Sequence, residues 1–387
     1  MKPKVTPWKV EGNVDYDRLI REFGVKKITK EQKNYLLNLA KRKGLDEHLF
    51  LKRELFYAQM DLDEIIKAHK EKKPIFLYTG RAIGGSMHIG HMIPFIFTKF
   101  LQDLFDCNLY IQFPDDEKFL FKKEIDKKQI KEMLELDLGE IAAFGFNLDK
   151  TFIFKNSEYI SKMYPLYLDV AKRLTFSQAR NTFGFQNESN VGQINYPALQ
   201  IVPSLFEKGH CLIPCGIDQN PYFLLQRDIA PKIGYAKNST ILSKFLTALT
   251  GPEGKMSSSD SAKAILLTDD ADTVKKKVNK YAFSGGKQTL EEHRKKGGNT
   301  EVDVAYQWLY YLFEEDDKKI VQIRKDYESG KMLSGEMKAL VIEKINNFLE
   351  EHNRKKHQGK KEKLLDKYMY TGKLAKEMWK KDFKEDG

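Results

Sequence analysis

The chain is predicted to be α/β, with a Rossmann-type, doubly wound parallel sheet joined to a C-terminal α-helical domain and a small N-terminal extension. Three observations predict this. Residues 74–78 (Pro-Ile-Phe-Leu-Tyr) form a short apolar run between Lys72-Lys73 and Thr79-Gly80, the pattern of a strand buried on both faces. A glycine-bearing loop, an apolar stretch at 92–105 long enough for a helix, and a second strand-like run at 109–113 then complete a βαβ unit, whose parallel pairing needs a right-handed helical crossover. After Thr268 strand-like runs disappear and helical periodicity takes over.

Taken in order, the helix at 92–105 accommodates Pro94 only in its first turn. Further strands are expected at 151–154, 211–214 and 264–267, with helical patterns between them, and this alternation is what a doubly wound sheet requires. Asp269 or Asp270 can cap a basic helix running through Lys280, and Ser284-Gly285-Gly286 marks a turn. From Asp303 onward Val304, Trp308, Tyr311 and Leu312 recur at helical spacing. Ser334 reads as the cap of a long amphipathic helix ending near His352. Residues 1–70 read as the extension, with a short hairpin around Trp8 and helices beyond it. The expected division is 1–70, 71–268 with a helical insertion near 119–165, and 269–387.

The 387 residues leave room for two or three units, and 41% hydrophobic with 31% charged residues describes a globular chain. No stretch approaches the ~18 apolar residues of a membrane span, and the polar start at Met1-Lys2-Pro3-Lys4 carries no export signal. Cys107, Cys211 and Cys215 are too few for a disulfide scaffold, which fits a reducing compartment; the expectation is a cytoplasmic protein without a membrane role. The net charge of +11 points to an anionic partner. Much of it sits from Glu351 to Gly387, where twelve Lys and Arg stand against seven Asp and Glu, although a solvated Lys-rich helix accounts for the same pattern.

Two short motifs carry the chemistry. In His88-Ile89-Gly90-His91 the loop enters a helix, so both rings and the free amides of the first turn can face one anion, helped by the helix dipole. Gly90 lets a nucleotide approach the backbone. Zinc would need more ligands, and Cys107 lies beyond the far end of the helix, so no metal held by protein side chains is expected. The second motif, Lys255-Met256-Ser257-Ser258-Ser259, is not a Walker A loop: Leu249 stands where its first glycine should be, and Met256 where a Ser or Thr should follow the lysine. A Gly251-Pro252-Glu253-Gly254 turn delivers one lysine and three hydroxyls, suited to a leaving pyrophosphate. By itself it also reads as a Ser-rich linker.

Together these two motifs resemble the HIGH and KMSKS motifs of class I aminoacyl-tRNA synthetases. Tyr78-Thr79-Gly80-Arg81, Met87 through His91, Asp115-Asp116-Glu117-Lys118, Cys211 through Gln219, Lys255 through Ser259, Phe283 through Gly286 and Asp303-Val304 follow the order of eukaryotic-type tryptophanyl-tRNA synthetases, over nearly the whole chain. The resemblance implies L-tryptophan and ATP as substrates, with Mg2+ carried by ATP, tRNA(Trp) as acceptor, a homodimer, and an anticodon-binding role for residues 269–387. It implies that His88, His91, Lys255 and Ser257 stabilise the transferring phosphoryl group and the leaving pyrophosphate, with Arg81 and Lys118 adding positive charge. ATP would be held by Gly80, Gly90, Ile213, Pro214, Cys215, Met256, Ser258 and Ser259, the adenine against 213–215.

For tryptophan the resemblance gives Tyr78 and Gln112 to the indole, and Glu117, Gln200 and Gln219 to the α-ammonium group. This is physically sensible, since an indole N–H in an apolar pocket needs an acceptor and an ammonium wants carboxylate and amide oxygens. Ordinary hydrogen bonding at strand ends would place the same residue types there. Two departures stand out: the loop at 82–87 is shorter and less acidic than the family form, and Ser258 replaces a second lysine. A tyrosyl-tRNA synthetase shares fold and motifs, a small nucleotidylyltransferase shares the histidine motif without tRNA, and a noncatalytic RNA-binding relative would have no use for Lys255.

Overall fold

The computed structural model describes residues 4–5, 10–11, 15–122, 126–255 and 262–383, with side chains throughout these except at 4–5, 10–11, 127 and 252–255. Near the N-terminus β1 (Lys4–Val5) and β2 (Val10–Glu11) pair antiparallel, Lys4 opposite Glu11. Trp8, expected in this hairpin, lies outside the described residues.

The main sheet has seven strands: β3 (Lys26–Lys27), β4 (Phe56–Met60), β5 (Ile75–Gly80), β6 (Asn108–Phe113), β7 (Thr151–Lys155), β8 (His210–Gly216) and β9 (Ser239–Ser243), in the order β3-β4-β9-β8-β5-β6-β7. Strands β5 to β9 run parallel, whereas β4 is antiparallel to β9 and β3 to β4. The sheet is therefore mixed at one edge, with two strands supplied by the segment read as the extension. A second hairpin pairs β10 (Thr247–Ala248) with β11 (Gly251–Lys255).

Alternation along the parallel strands divides the interior into two cores. Leu77, Leu109, Ile111, Ile153, Leu212 and Ile241 face one side, under the Ile89–Phe105 helix. Phe76, Tyr78, Tyr110, Phe152, Ile213 and Leu242 face the other, against the Asn156–Ala171 and Asn220–Ile229 helices. Both faces being covered is why these strands read as continuous apolar runs. From Ala271 to Lys380 the described elements are helices joined by loops, and the C-terminal helices touch both cores: Val341, Ile345 and Leu349 join the first, Leu374 and Met378 the second.

Several local expectations are revised. The run at 264–267 is not a strand of the sheet; it makes one isolated antiparallel bridge, Leu266 to His88, and its place in the sheet is taken by β9. The helix after the histidine motif begins at Ile89, which puts Pro94 beyond the first turn and removes the bond its N–H would have given Gly90. Asp270, not Asp269, caps the Ala271–Tyr281 helix, accepting from Thr273 N at 2.7 Å, while Asp269 accepts from Leu266 N and Lys277. The long helix is Ser334–Lys361 with Leu333 at its cap, so it continues past His352, and the Ser334 hydroxyl instead meets Ser284 and Tyr327.

Candidate functional site

The strand order reverses direction between β5 and β8, and a crevice opens at the carboxyl ends of strands there. A cavity of about 310 Å³ occupies it, lined from β5 by Tyr78 and Gly80, from the following loop by Arg81, and from the start of the Ile89–Phe105 helix by His88, Gly90 and His91. Glu117, Gln200, Ile213, Cys215 and Gln219 complete the wall among the residues expected there.

His88 occupies the N-cap position with extended backbone, and its N–H donates to His91 Nδ1 at 3.3 Å. The two rings stack, centroids 3.5 Å apart and planes 18° from parallel. Gly90 belongs between them for a reason beyond nucleotide approach: a Cβ there would lie 3.1 Å from the His88 ring. Backbone bonds fix the approach to this turn. Ile89 N donates to Ile265 O at 3.0 Å and Leu267 N to Met87 O at 2.8 Å. The segment downstream of the lysine motif thus clasps the histidine motif on both sides of His88.

The short loop before His88 is stitched to Arg81. Its guanidinium donates to Gly85 O at 3.0 Å and to both oxygens of Asp137, at 2.8 and 3.2 Å, with both side chains almost fully buried. The charge that the resemblance assigns to the reaction is thus matched by a carboxylate on the Lys127–Ala142 helix. Lys118 is half-buried and does not line the cavity; burial, with Lys122 beside it, holds its ammonium below the usual lysine range. Pro214 points away from the cavity, between Ile213 and Cys215 on β8. Burial pushes the Cys215 thiol well above its ordinary value, so it lines the wall as a neutral group.

The deep end is a polar constellation. Gly80 pairs with Gln112 across β5 and β6, and a Cβ on Gly80 would come within 2.9 Å of Gln112 O. Tyr78 Oη sits 2.5 Å from Gln112 Oε1 and 2.7 Å from Gln200 O. Gln112 Nε2 donates to Asn156 Oδ1, and Asn156 Nδ2 to Asp116 Oδ1, each at 2.8 Å. Gln112 itself is fully buried behind Tyr78 and does not line the cavity. Burial pushes the Tyr78 phenol far above its ordinary value, so it remains protonated. Tyr196 Oη donates to Gln200 Oε1 at 2.5 Å, and Gln219 Nε2 to Asp218 Oδ2 at 3.3 Å.

Lys255 enters β11 opposite Thr247 by its backbone; its side chain and Met256, Ser257, Ser258 and Ser259 lie outside the described residues. Sequence reasoning passed over Asn156, Tyr196, Asp218, Tyr222 and the Lys244–Leu246 segment, which also border this region or its polar chain. Asp116 was in plain view within the Asp115–Lys118 motif. Lys244 follows β9, a strand the apolar pattern did not reveal. Its ammonium lies 6.0, 5.6 and 5.8 Å from the ring centres of Tyr16, Tyr57 and Tyr311, and burial lowers its affinity for its proton.

Residues 70–350 match the family described as tRNA synthetases class I (W and Y). Two archaeal proteins are similar over nearly their whole length: tryptophan–tRNA ligase of Saccharolobus solfataricus, 55% identical across 97% of this chain and 98% of its own, and that of Sulfurisphaera tokodaii, 54% identical with the same coverage. Among solved structures, tryptophanyl-tRNA synthetase from Giardia lamblia superposes with a TM-score of 0.86 at 36% identity, covering 93% of this chain and 96% of that one. The likeness read as eukaryotic-type therefore extends to archaeal chains.

Proposed function

We propose, since the chain belongs to the tRNA synthetases of class I (W and Y), that it is a tryptophan–tRNA ligase: it activates L-tryptophan with ATP to tryptophanyl-adenylate and pyrophosphate, then transfers tryptophan to tRNA(Trp). What supports this reading is the meeting of an acceptor-rich polar end, around Tyr78, Glu117, Gln200 and Gln219, with the His88–His91 turn in one cavity.

The tryptophan carboxylate attacks the α-phosphorus of ATP in line as the bond to the bridging oxygen breaks, and pyrophosphate departs with its electron pair. An anionic nucleophile needs no general base, so positioning and charge stabilisation carry this step. His88, His91 and the amides of the first helical turn face the transferring group; Lys255 and Ser257, with Met256, Ser258 and Ser259, meet the pyrophosphate. Ile213 and Cys215 bound the adenine, and Gly80 and Gly90 allow close approach. A hydroxyl at the tRNA 3′ end then attacks the adenylate carbonyl and AMP leaves. Mg2+ enters with the phosphates of ATP, whose oxygens suit it. Among the described residues no group of three or more His, Cys, Asp or Glu side chains is placed to hold a metal.

Residues 269–387 contact the anticodon region of tRNA through their lysines, the chain works as a homodimer in the cytoplasm, and 71–268 forms the catalytic unit. No described helix is long and apolar enough to cross a membrane. Amino-acid-dependent exchange of pyrophosphate into ATP tests the central reading: exchange with tryptophan and charging of tRNA(Trp) are expected. Exchange with tyrosine and none with tryptophan overturns it.

A further inference from the structure

The polar chain behind Tyr78 has a direction, and its far end sets that direction. An ionised carboxylate only accepts hydrogen bonds, so Asp116 obliges Asn156 to turn its Nδ2 toward it, at 2.8 Å. Asn156 must then present its carbonyl oxygen the other way, where it accepts from Gln112 Nε2 at 2.8 Å. That in turn leaves Gln112 with only Oε1 to offer Tyr78, at 2.5 Å. Gln112 and Asn156 are 0% and 1% exposed, so water does not compete for their amides and a reversed orientation would leave like groups facing one another.

Tyr78 Oη now has two acceptors around it, Gln112 Oε1 and Gln200 O, and a single proton to give. A group that reaches Tyr78 Oη, its proton already given to one of these acceptors, meets lone pairs and must donate. Gln200 Oε1 is itself occupied by the Tyr196 hydroxyl, so the Gln200 contribution at Tyr78 is its backbone oxygen. An indole fits such a wall, having one N–H and no acceptor, whereas a phenol brings lone pairs that oppose those already present.

We propose that Asp116 and Asn156 are specificity-determining positioning residues, which fix the amide of Gln112 so that the pocket accepts a donor-only aromatic side chain. This rests on the tryptophan reading above, and neither residue touches the ligand. Both lie at the ends of neighbouring parallel strands: Asn156 directly follows β7, and Asp116 follows the turn after β6. Burial pushes the Asp116 carboxyl up to about 6, against the pull of the Asn156 bond, so near neutral pH it is still mostly the acceptor this arrangement requires.

The test compares L-tryptophan with 3-benzothienyl-L-alanine, in which sulfur replaces the indole N–H, by the ratio of kcat/KM in ATP–pyrophosphate exchange. The wild-type protein should favour tryptophan strongly; sites built to bind a polar group reject analogues lacking it by up to ~10⁴-fold. In Asp116→Asn both amide orientations become available, and the ratio should fall at least ~10-fold, a tenth of that discrimination per 1.4 kcal/mol lost, while KM for ATP stays unchanged. The double variant Asp116→Asn with Asn156→Asp moves the acceptor-only group one place along and again offers an acceptor to Gln112, so it should restore the ratio to within a few-fold. A merely structural role would lower both substrates alike and leave nothing to restore. Ratios equal to wild type in the folded single variant, or no recovery in the double variant, overturn the proposal. Absence of tryptophan-dependent exchange in the wild-type protein instead removes the tryptophan reading on which it rests.

Discussion

Arg81 and Asp137 form a two-point ion pair beside the cavity, 5% and 1% exposed, linking the end of β5 to the Lys127–Ala142 helix. Burial pushes the Asp137 carboxyl up, and Arg81 only partly opposes this. Asp137→Ala leaves the guanidinium buried without its counter-charge, which typically costs about 3–5 kcal/mol. Urea unfolding should show that loss, and the double replacement Arg81→Met with Asp137→Leu should recover most of it. Equal midpoints for Asp137→Ala and wild type would show that the pair is not structural.

The Ser334–Lys361 helix is tied to the Lys127–Ala142 helix at Glu140, which accepts from His352 Nε2 at 2.7 Å and from Lys356. Burial alone would push the Glu140 carboxyl up; the two donors outweigh it and hold the group below the usual glutamate value. A carboxyl with a lower pKa folded than unfolded stabilises the fold above the unfolded value and loses that contribution as pH falls. Stability should therefore decline from about pH 4.5 downward, and Glu140→Gln should both weaken the fold at neutral pH and flatten that acid limb in thermal melts taken across the range.

Gly90→Ala tests the packing within the histidine turn. The added carbon would stand 3.1 Å from the His88 ring, so the ring must shift by a few tenths of an ångström. Misplacement of this kind commonly costs up to ~100-fold in rate. Single-turnover formation of the adenylate should slow by ~10- to 100-fold, with the unfolding temperature little changed. A rate equal to wild type would mean the ring position is not critical.

Trp308 holds the β10–β11 hairpin that leads to Lys255: its Nε1 donates to Thr247 O at 2.9 Å and the ring is buried. Trp308→Phe keeps an aromatic ring and removes the donor, leaving a carbonyl without its partner at a cost of about 1–3 kcal/mol. We expect that destabilisation together with a raised KM for ATP, because the hairpin delivers the lysine. An unchanged KM for ATP would separate the hairpin from nucleotide binding.

How much of this was legible depended on what each residue is buried against. Strands β5 to β8 were visible because both their faces are covered by apolar side chains, which writes an uninterrupted signal. Strand β9, Ser-Thr-Ile-Leu-Ser, was not, since its polar members are buried by being satisfied: Ser239 Oγ donates to Asp61 O, and Thr240 Oγ1 to Asn220 Oδ1. The run at 264–267 misled for the opposite reason. It is buried under the loop that carries His88, so its apolarity reports a packed surface without a ladder. The helix expected to end near His352 runs on because that histidine faces inward, toward Glu140. Of the site, the motifs pointed to Arg81, His88, His91 and Glu117, which line one cavity, and also to Lys118 and Pro214, which do not; Asn156 and Lys244 had no local signature, being placed by strands distant in sequence.

The clasp between Met87–Ile89 and Ile265–Leu267 also bears on how the protein is made. A chain still emerging from the ribosome displays both histidines long before Ile265 and Leu267 are synthesised, yet the two backbone bonds that steady their turn await those later residues. The histidine turn can then gain these two bonds only after Leu267 has been made, and a fragment arrested earlier carries the histidines without them.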